Sequence, residues 1–361
     1  MKMFPALEKK YTKEQLKVLQ AQRLAHEIAF APVTFQVSRL MVKFGIFQML
    51  SDAKNGLTMD EVVEKTKMSR YAVKVLLESS LTIGTVLFEN ERFVVSKAGW
   101  LLLTDPLVSV NMRFNHDVNY LGMYNMEEAL LNGKPEGLKV FGDWKTVYEG
   151  LSSLPEDAQR SWFEFDHFYS DNSFDEALEI VFSYNTTKLL DVGGNTGRWA
   201  LRCVDYNKDV NVTIMDLPQQ LELMKKHIAG KNGEERISGH GINLLDKDAP
   251  FPKGFDAIWM SQFLDCFSEE EVTGIVKRAA ESMDENSKLF VMETLWDRQD
   301  NDIAAYCLTQ ISLYFTVMAN GNSKMYNSED MIRCIEAGGL RVEKIHDGLK
   351  SGHSILVCKK A

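Results

Sequence analysis

The sequence predicts an α/β protein: an open sheet flanked by helices, preceded by a mostly helical N-terminal domain. Two observations carry this. From residue 188 onward short apolar runs alternate with stretches of helical periodicity, the pattern of a sheet with helices on both faces. Before residue 180 apolar residues recur at helical spacing, interrupted by a helix–turn–helix and a hairpin. The expected division is a winged-helix-like domain over 1–105, a helical linker and pocket segment over 106–180, and a Rossmann-like domain over 181–361.

In the N-terminal region, Thr12 to Phe30 places Leu16, Leu19, Leu24 and Ile28 roughly one helical turn apart. Leu40, Met41, Ile46 and Leu50 continue the pattern. Thr58 followed by Glu61 is a capping box at a helix start. A second helix is expected over Ser69 to Ser79. Thr85–Phe88 and Arg92–Val95 then read as two strands joined by the polar turn Glu89-Asn90-Glu91. This is the winged-helix pattern. Lys67, Arg70 and Lys74 on or near the second helix raise DNA binding as a reading. Asp60, Glu61, Glu64 and Glu78 surround them, and phosphate contacts need clustered positive charge.

In the C-terminal half the expected strands are Leu189–Val192, Val210–Met215, Ala257–Met260, Leu289–Met292, Leu340–Ile345 and Ile355–Cys358. Helices are expected near Arg198–Val204, Gln219–Ala229, Glu269–Met283 and Ser328–Ala337.

Composition narrows the classes further. At 361 residues, 45% hydrophobic and 25% charged, the chain has the make-up of a globular protein with a core of its own. A net charge of −10 argues against broad nucleic-acid binding. The five cysteines are scattered and form no CxxC pair, which fits a reducing cytoplasm rather than a disulfide or zinc framework. No secretory signal and no apolar run of membrane-spanning length is expected. No His/Asp cluster has metal-ligand spacing, so no metal is expected.

The strongest local signal is Asp191-Val192-Gly193-Gly194-Asn195-Thr196-Gly197, at the end of an apolar run and before a helix. Glycine permits the tight turn and close approach of a ligand to the backbone, and the helix start presents unpaired N–H groups. The pattern is not GxGxxG. The acidic residue before the glycines suits the ammonium and carboxylate of an amino-acid moiety better than a pyrophosphate. Asp216-Leu217-Pro218 ends the second strand about twenty residues on, where a carboxylate accepts from ribose hydroxyls.

These motifs resemble the S-adenosylmethionine (SAM)-dependent O-methyltransferases of the plant caffeate/hydroxyindole type, which also occur in bacteria. The likeness covers nearly the whole chain. It includes the winged-helix half, the Asp191–Gly197 stretch set against DVGGGTG, the Asp216-Leu217-Pro218 triplet and the segment Phe255 to Glu271. It implies a Rossmann-like methyltransferase sheet, SAM as methyl donor, a small hydroxylated aromatic acceptor and a homodimer made through the N-terminal domain, which makes 1–105 the dimerisation domain.

Carried over residue by residue, Asp191, Gly193, Gly194, Asn195, Gly197, Asp216, Leu217, Asn243, Leu244 and Ser261 are the candidate cofactor contacts. Asn195 stands for a third glycine, and Asn tolerates φ > 0 better than most residues. Asn243 stands for an Asp near the adenine, and Ser261 for a Lys. Where the family reads V-L-H-D-W-S-D, this chain has Phe263-Leu264-Asp265-Cys266-Phe267-Ser268-Glu269. Asp265 therefore replaces the His that removes the acceptor proton. Glu293 matches one of two flanking Glu residues, while the other falls on Met325.

Asp265 and Glu293 are the catalytic candidates. His116, His167, Tyr326 and Met325 are candidates for the acceptor pocket. Two further readings stand beside methyl transfer. One is a SAM-binding protein of this fold that does not methylate. The other is a winged-helix DNA-binding regulator.

Overall fold

A computed structural model describes residues 2–361, leaving aside the side chains of residues 170 and 171. The chain divides into two compact units, Glu14–Asp117 and a second built from residues 1–13 and Val118–Ala361. These boundaries differ from those expected. Residues 118–180 belong with the sheet rather than to a linker, and the extreme N-terminus joins them there.

In the unit Glu14–Asp117 the helices Ala31–Lys43, Ile46–Asp52, Met59–Thr66 and Arg70–Ile83 pack Met41, Ile46, Phe47, Leu50, Val62, Val73 and Leu77 into one core. Thr58 Oγ1 accepts from the Glu61 N–H while Glu61 accepts from the Thr58 N–H at 2.7 Å, so the capping box forms. The wing is β1 (Val86–Glu89) paired antiparallel with β2 (Arg92–Val95). Asn90 and Glu91, at φ 50° and 62°, form the turn. Both central residues at positive φ match the right-handed twist of a two-residue hairpin. The continuous helix expected over Thr12 to Phe30 is shorter, Val18–Ala29. A separate helix, Pro5–Tyr11, belongs to the other unit, where the Phe4 N–H donates to the Asp297 carbonyl at 2.9 Å. Arg70 pairs with Asp60 and Lys74 with Glu78, so two of the three cations that raised DNA binding are matched by acids.

Among its described residues the larger unit holds a seven-stranded sheet of order β5-β4-β3-β6-β7-β9-β8. The strands are β3 (Lys188–Val192), β4 (Asn211–Asp216), β5 (Ile237–Gly241), β6 (Ala257–Ser261), β7 (Lys288–Glu293), β8 (Leu340–His346) and β9 (Ser354–Lys360). All pair in parallel except β9, which runs antiparallel to both neighbours. Side chains alternate across the sheet. Leu190, Val192, Met260 and Val291 face one core layer with Val272, Ile275 and Val276 of the helix Glu269–Ser282. Leu189, Ile214, Trp259 and Phe290 face the other with Trp199, Ala200 and Cys203 of the helix Arg198–Tyr206.

The strand order reverses between β3 and β6, one leading to β4 and the other to β7. That switch point opens a crevice at the carboxyl ends of the strands, where open α/β sheets bind ligands.

One segment amends a sequence expectation. Residues 302–319 are long and apolar enough, by length and composition alone, to cross a membrane, and 44% of that window is buried within the fold. The helix Asp302–Tyr314 inside it buries Ala305, Leu308, Ile311 and Tyr314, which gives its apolar composition a core role.

Candidate active site

The loop after β3 is built to hold a ligand against the backbone. Gly193, Asn195 and Gly197 have φ of 71°, 50° and 80°. A Cβ on Gly193 would collide with the Phe263 ring, and one on Gly194 would sit 2.5 Å from Asp191 Oδ2. The loop is tied to the end of β4 by Asp216, whose carboxylate accepts from the Asn195 N–H at 3.0 Å and the Leu217 N–H at 2.7 Å. The Gln220 amide donates to the Asn195 side chain. Asp216 therefore holds the loop in place, a task the sequence did not announce.

The cleft above this loop is lined by Asp191, Gly193, Gly194, Asn195, Thr196, Trp199, Phe174, Trp259, Ser261, Gln262 and, from the helix Glu156–Ser170, Asp166 and His167. Asp191 is 2% exposed and its Oδ2 has no hydrogen-bond partner. Burial, with the nearby Asp216 carboxylate, pushes its pKa up to about 8. A buried carboxyl beside a glycine cradle fits an amino-acid-bearing nucleoside, because an ammonium group supplies the missing donor and cation.

The remaining cofactor candidates lie along the same edge with different duties. Asn243, exposed beyond β5, uses its Oδ1 to accept from the Leu245 N–H at 3.1 Å. Leu244 packs its side chain into the core, and its carbonyl accepts from Arg278 at 2.6 Å.

The second half of the site lies where β7 ends. Glu293 Oε1 accepts from the Phe263 and Leu264 N–H groups at 3.1 and 2.9 Å, which fixes the turn Leu264–Cys266. Glu293 Oε2 is buried without a partner. Asp265 is 5% exposed, and its Oδ1 accepts from the Cys266 thiol at 3.5 Å. Burial pushes both carboxyl groups up, Glu293 further because Asp265 is close enough to repel its charge. Such a pair shares a proton, leaving one carboxylate and one acid.

Around them stand groups that sequence reasoning did not select. The buried Tyr148 hydroxyl lies beside the Cys266 thiol. The Tyr314 hydroxyl accepts from Trp162 Nε1 at 2.6 Å. Residues 148, 162, 266 and 314 come from four separate segments, so no local spacing could have joined them.

Three of the proposed pocket residues have other duties. The Tyr326 hydroxyl donates to the Phe267 carbonyl at 2.6 Å, and its ring is 2% exposed. It braces the segment carrying Asp265. Tyr326→Phe is expected to cost about 1–2 kcal/mol of stability in urea unfolding and to leave the pH–rate profile unmoved. A shifted profile would place it in the proton chemistry. Met325 is 5% exposed and its sulfur accepts from Thr294 at 3.7 Å, so it is packing. His116 falls in the unit Glu14–Asp117, where burial and then Arg39 lower its pKa. His167 lines the cofactor cleft.

All five cysteines are free thiols. Among the described residues no three His, Cys, Asp or Glu side chains gather closely enough to hold a metal ion.

Comparison with known proteins agrees with this geometry. A family model for the O-methyltransferase domain matches residues 152–336, and one for a Dimerisation2-like domain matches residues 22–93. The chain is 22% identical over 304 residues to the L-tyrosine C(3)-methyltransferase of Streptomyces lavendulae, covering 83% of this chain and 81% of that protein. It is 21% identical to human acetylserotonin O-methyltransferase, covering 84% and 89%. Among solved structures, the mitomycin 7-O-methyltransferase MmcR superposes with a TM-score of 0.70 at 18% identity, over 94% of this chain and 98% of that one. Human N-acetylserotonin methyltransferase in complex with SAM gives 0.64 at 17% identity, over 97% and 99%.

The glycine cradle, the reversed strand order and the matched domain make this chain a member of the O-methyltransferase family. It is a SAM-dependent O-methyltransferase.

Proposed function

We propose that the enzyme methylates a small aromatic acceptor at a hydroxyl more acidic than an ordinary phenol, with Asp265 as the group that takes the proton. The observation that carries this is the buried pair Asp265 and Glu293, with a thiol and the Tyr148 and Tyr314 hydroxyls beside it. Bound SAM supplies an electrophilic methyl group. The acceptor oxygen must meet it as an anion or as one in the making.

A free phenol has a pKa of about 10 and an ordinary carboxylic acid about 4. Each unit of mismatch between base and acceptor costs about 1.4 kcal/mol. Burial narrows the gap from the side of Asp265, and an acceptor whose hydroxyl is conjugated to a carbonyl narrows it from the other. Glu293, held by two backbone N–H groups, keeps the partner proton and so sets the charge of the pair. With SAM, 2-hydroxy-1,4-naphthoquinone is expected to yield S-adenosylhomocysteine faster than 2-naphthol does, followed by mass spectrometry. Equal rates, or a faster naphthol, would count against the acidic-acceptor reading.

For the cofactor, Asp191, Gly193, Gly194, Asn195 and Gly197 hold the amino-acid end, Asp216 and Leu217 the ribose, and Asn243 and Ser261 the rim. The methyltransferase reading is favoured over a non-methylating SAM binder because Asp265 and Glu293 supply proton chemistry that a binding module does not need.

The enzyme acts as a homodimer through the unit Glu14–Asp117. The helix Val18–Ala29 buries no residue and leaves Val18, Leu19 and Ile28 from 66% to 84% exposed. Exposed apolar rows of this size mark interaction surfaces. Sedimentation at twice the chain mass of 41.1 kDa is expected, and a monomer at micromolar concentration would remove the dimer from the proposal. We place it in the cytoplasm, where five free thiols stay reduced.

A further inference from the structure

We propose that Trp199 and Gln262 complete the methionine end of the SAM site, the indole N–H donating to the carboxylate and the Gln262 amide oxygen accepting from the ammonium beside Asp191. This rests on the reading that the cleft holds SAM, and assigns two residues that the motif resemblance does not touch.

Three buried polar atoms that line one cleft lack a hydrogen-bond partner: Asp191 Oδ2, Trp199 Nε1 and Gln262 Oε1. Buried polar groups are nearly always paired, so three orphans on one wall call for a ligand that satisfies them together. The set is mixed. Two atoms accept and one donates. A zwitterionic α-amino acid group is the complement, with ammonium donors for the first two and a carboxylate for the third. A pyrophosphate offers no donor and would face the Asp191 carboxyl.

Both new residues are held in place. Trp199 is 4% exposed, stacked on Trp259 at 4.4 Å and 17°, with the Phe174 ring tilted against it at 5.2 Å. Its N–H cannot turn away without unstacking. Gln262 has φ of 44°, rare for a residue with a side chain, and its own N–H donates to the Met292 carbonyl at 2.9 Å. Backbone strain of this kind persists where surrounding structure fixes it, and clusters at functional sites. Ser261, next to it, offers no cation; Arg198 and His167 on the same cleft bring positive charge, and the fixed indole N–H adds a directional donor.

Calorimetry with three probes separates the parts: S-adenosylhomocysteine, which carries the whole amino acid; decarboxylated SAM, which keeps only the amine; and 5′-methylthioadenosine, which has neither. Trp199→Phe keeps the stacking ring and removes the N–H. It is expected to weaken S-adenosylhomocysteine about tenfold while leaving the other two within twofold. Gln262→Met is expected to weaken both amine-bearing probes and spare methylthioadenosine. Ratios of affinities within one protein cancel any loss of folded fraction.

Unchanged S-adenosylhomocysteine affinity in both variants overturns the assignment, as does an equal loss for all three probes, which would mean packing alone. A wild-type chain that binds methylthioadenosine but not the amino-acid probes any better overturns it too. A wild-type chain that binds none of the three overturns the SAM reading itself.

Discussion

Replacing Asp265 with Asn is expected to lower kcat by about 10²- to 10⁴-fold, the usual contribution of a general base, while SAM affinity stays within twofold. The substitution is isosteric, so the Cys266 thiol still finds an acceptor and the turn Leu264–Cys266 still hangs from Glu293. What disappears is the one site that can take the acceptor proton within this cluster. The pH dependence gives a second readout. Burial raises Asp265 to about 6, and Asp265 in turn holds Glu293 higher, so the wild-type rate should climb with pH as Asp265 loses its proton. Glu293→Gln keeps an oxygen for the Phe263 and Leu264 N–H groups but removes the second titrating group. It should leave that climb where it is, because Glu293 is already neutral while Asp265 ionises and burial alone raises Asp265. An Asp265→Asn enzyme with wild-type kcat and the wild-type profile would dismiss Asp265 as base and leave alignment of the acceptor as the source of rate.

The parts of this molecule that were legible in the sequence are those whose cause is local. The Thr58–Glu61 capping box, the Asn90-Glu91 turn and β3 with its glycine loop each follow from a few adjacent residues, and each forms where expected. β5 escaped because Ile237-Ser238-Gly239-His240-Gly241 has no apolar run. It is an edge strand with a burial pattern that leaves most of it outside, so its pairing with β4 is set by tertiary contacts. The catalytic cluster escaped for the same reason on a larger scale. Asp265 and Glu293 came from resemblance to a family pattern. Tyr148, Trp162 and Tyr314 meet Cys266 only once the chain has folded, and nothing in their own neighbourhoods marks them apart from ordinary aromatic core.

The largest thermodynamic effect is expected at Asp191, where stability and cofactor binding pull against each other. Its carboxyl is pushed up to about 8 in the free protein by burial and by Asp216, against about 3.9 in an unfolded chain. Between those values the folded state holds a proton that the unfolded state releases, so stability falls as pH rises, by up to about 1.4 kcal/mol per unit from this group alone. Its contribution is fully present below pH 4 and lost as pH climbs through 8. SAM reverses the preference, because an ammonium beside Asp191 favours the carboxylate. Binding at pH 7 should therefore release about one proton per SAM, measured as calorimetric heats that vary with the ionisation enthalpy of the buffer. The release should fade above pH 9, where Asp191 is already ionised. Asp191→Asn removes the titrating group. The variant should bind SAM at least 100-fold more weakly, by about 2.7 kcal/mol, yet melt above the SAM-free wild type at pH 8, with no gain on adding SAM. Buffer-independent binding heats in the wild type, or an Asn variant that melts lower at every pH, would show that Asp191 is already charged and paired in the free protein, and the ammonium assignment would fall with it.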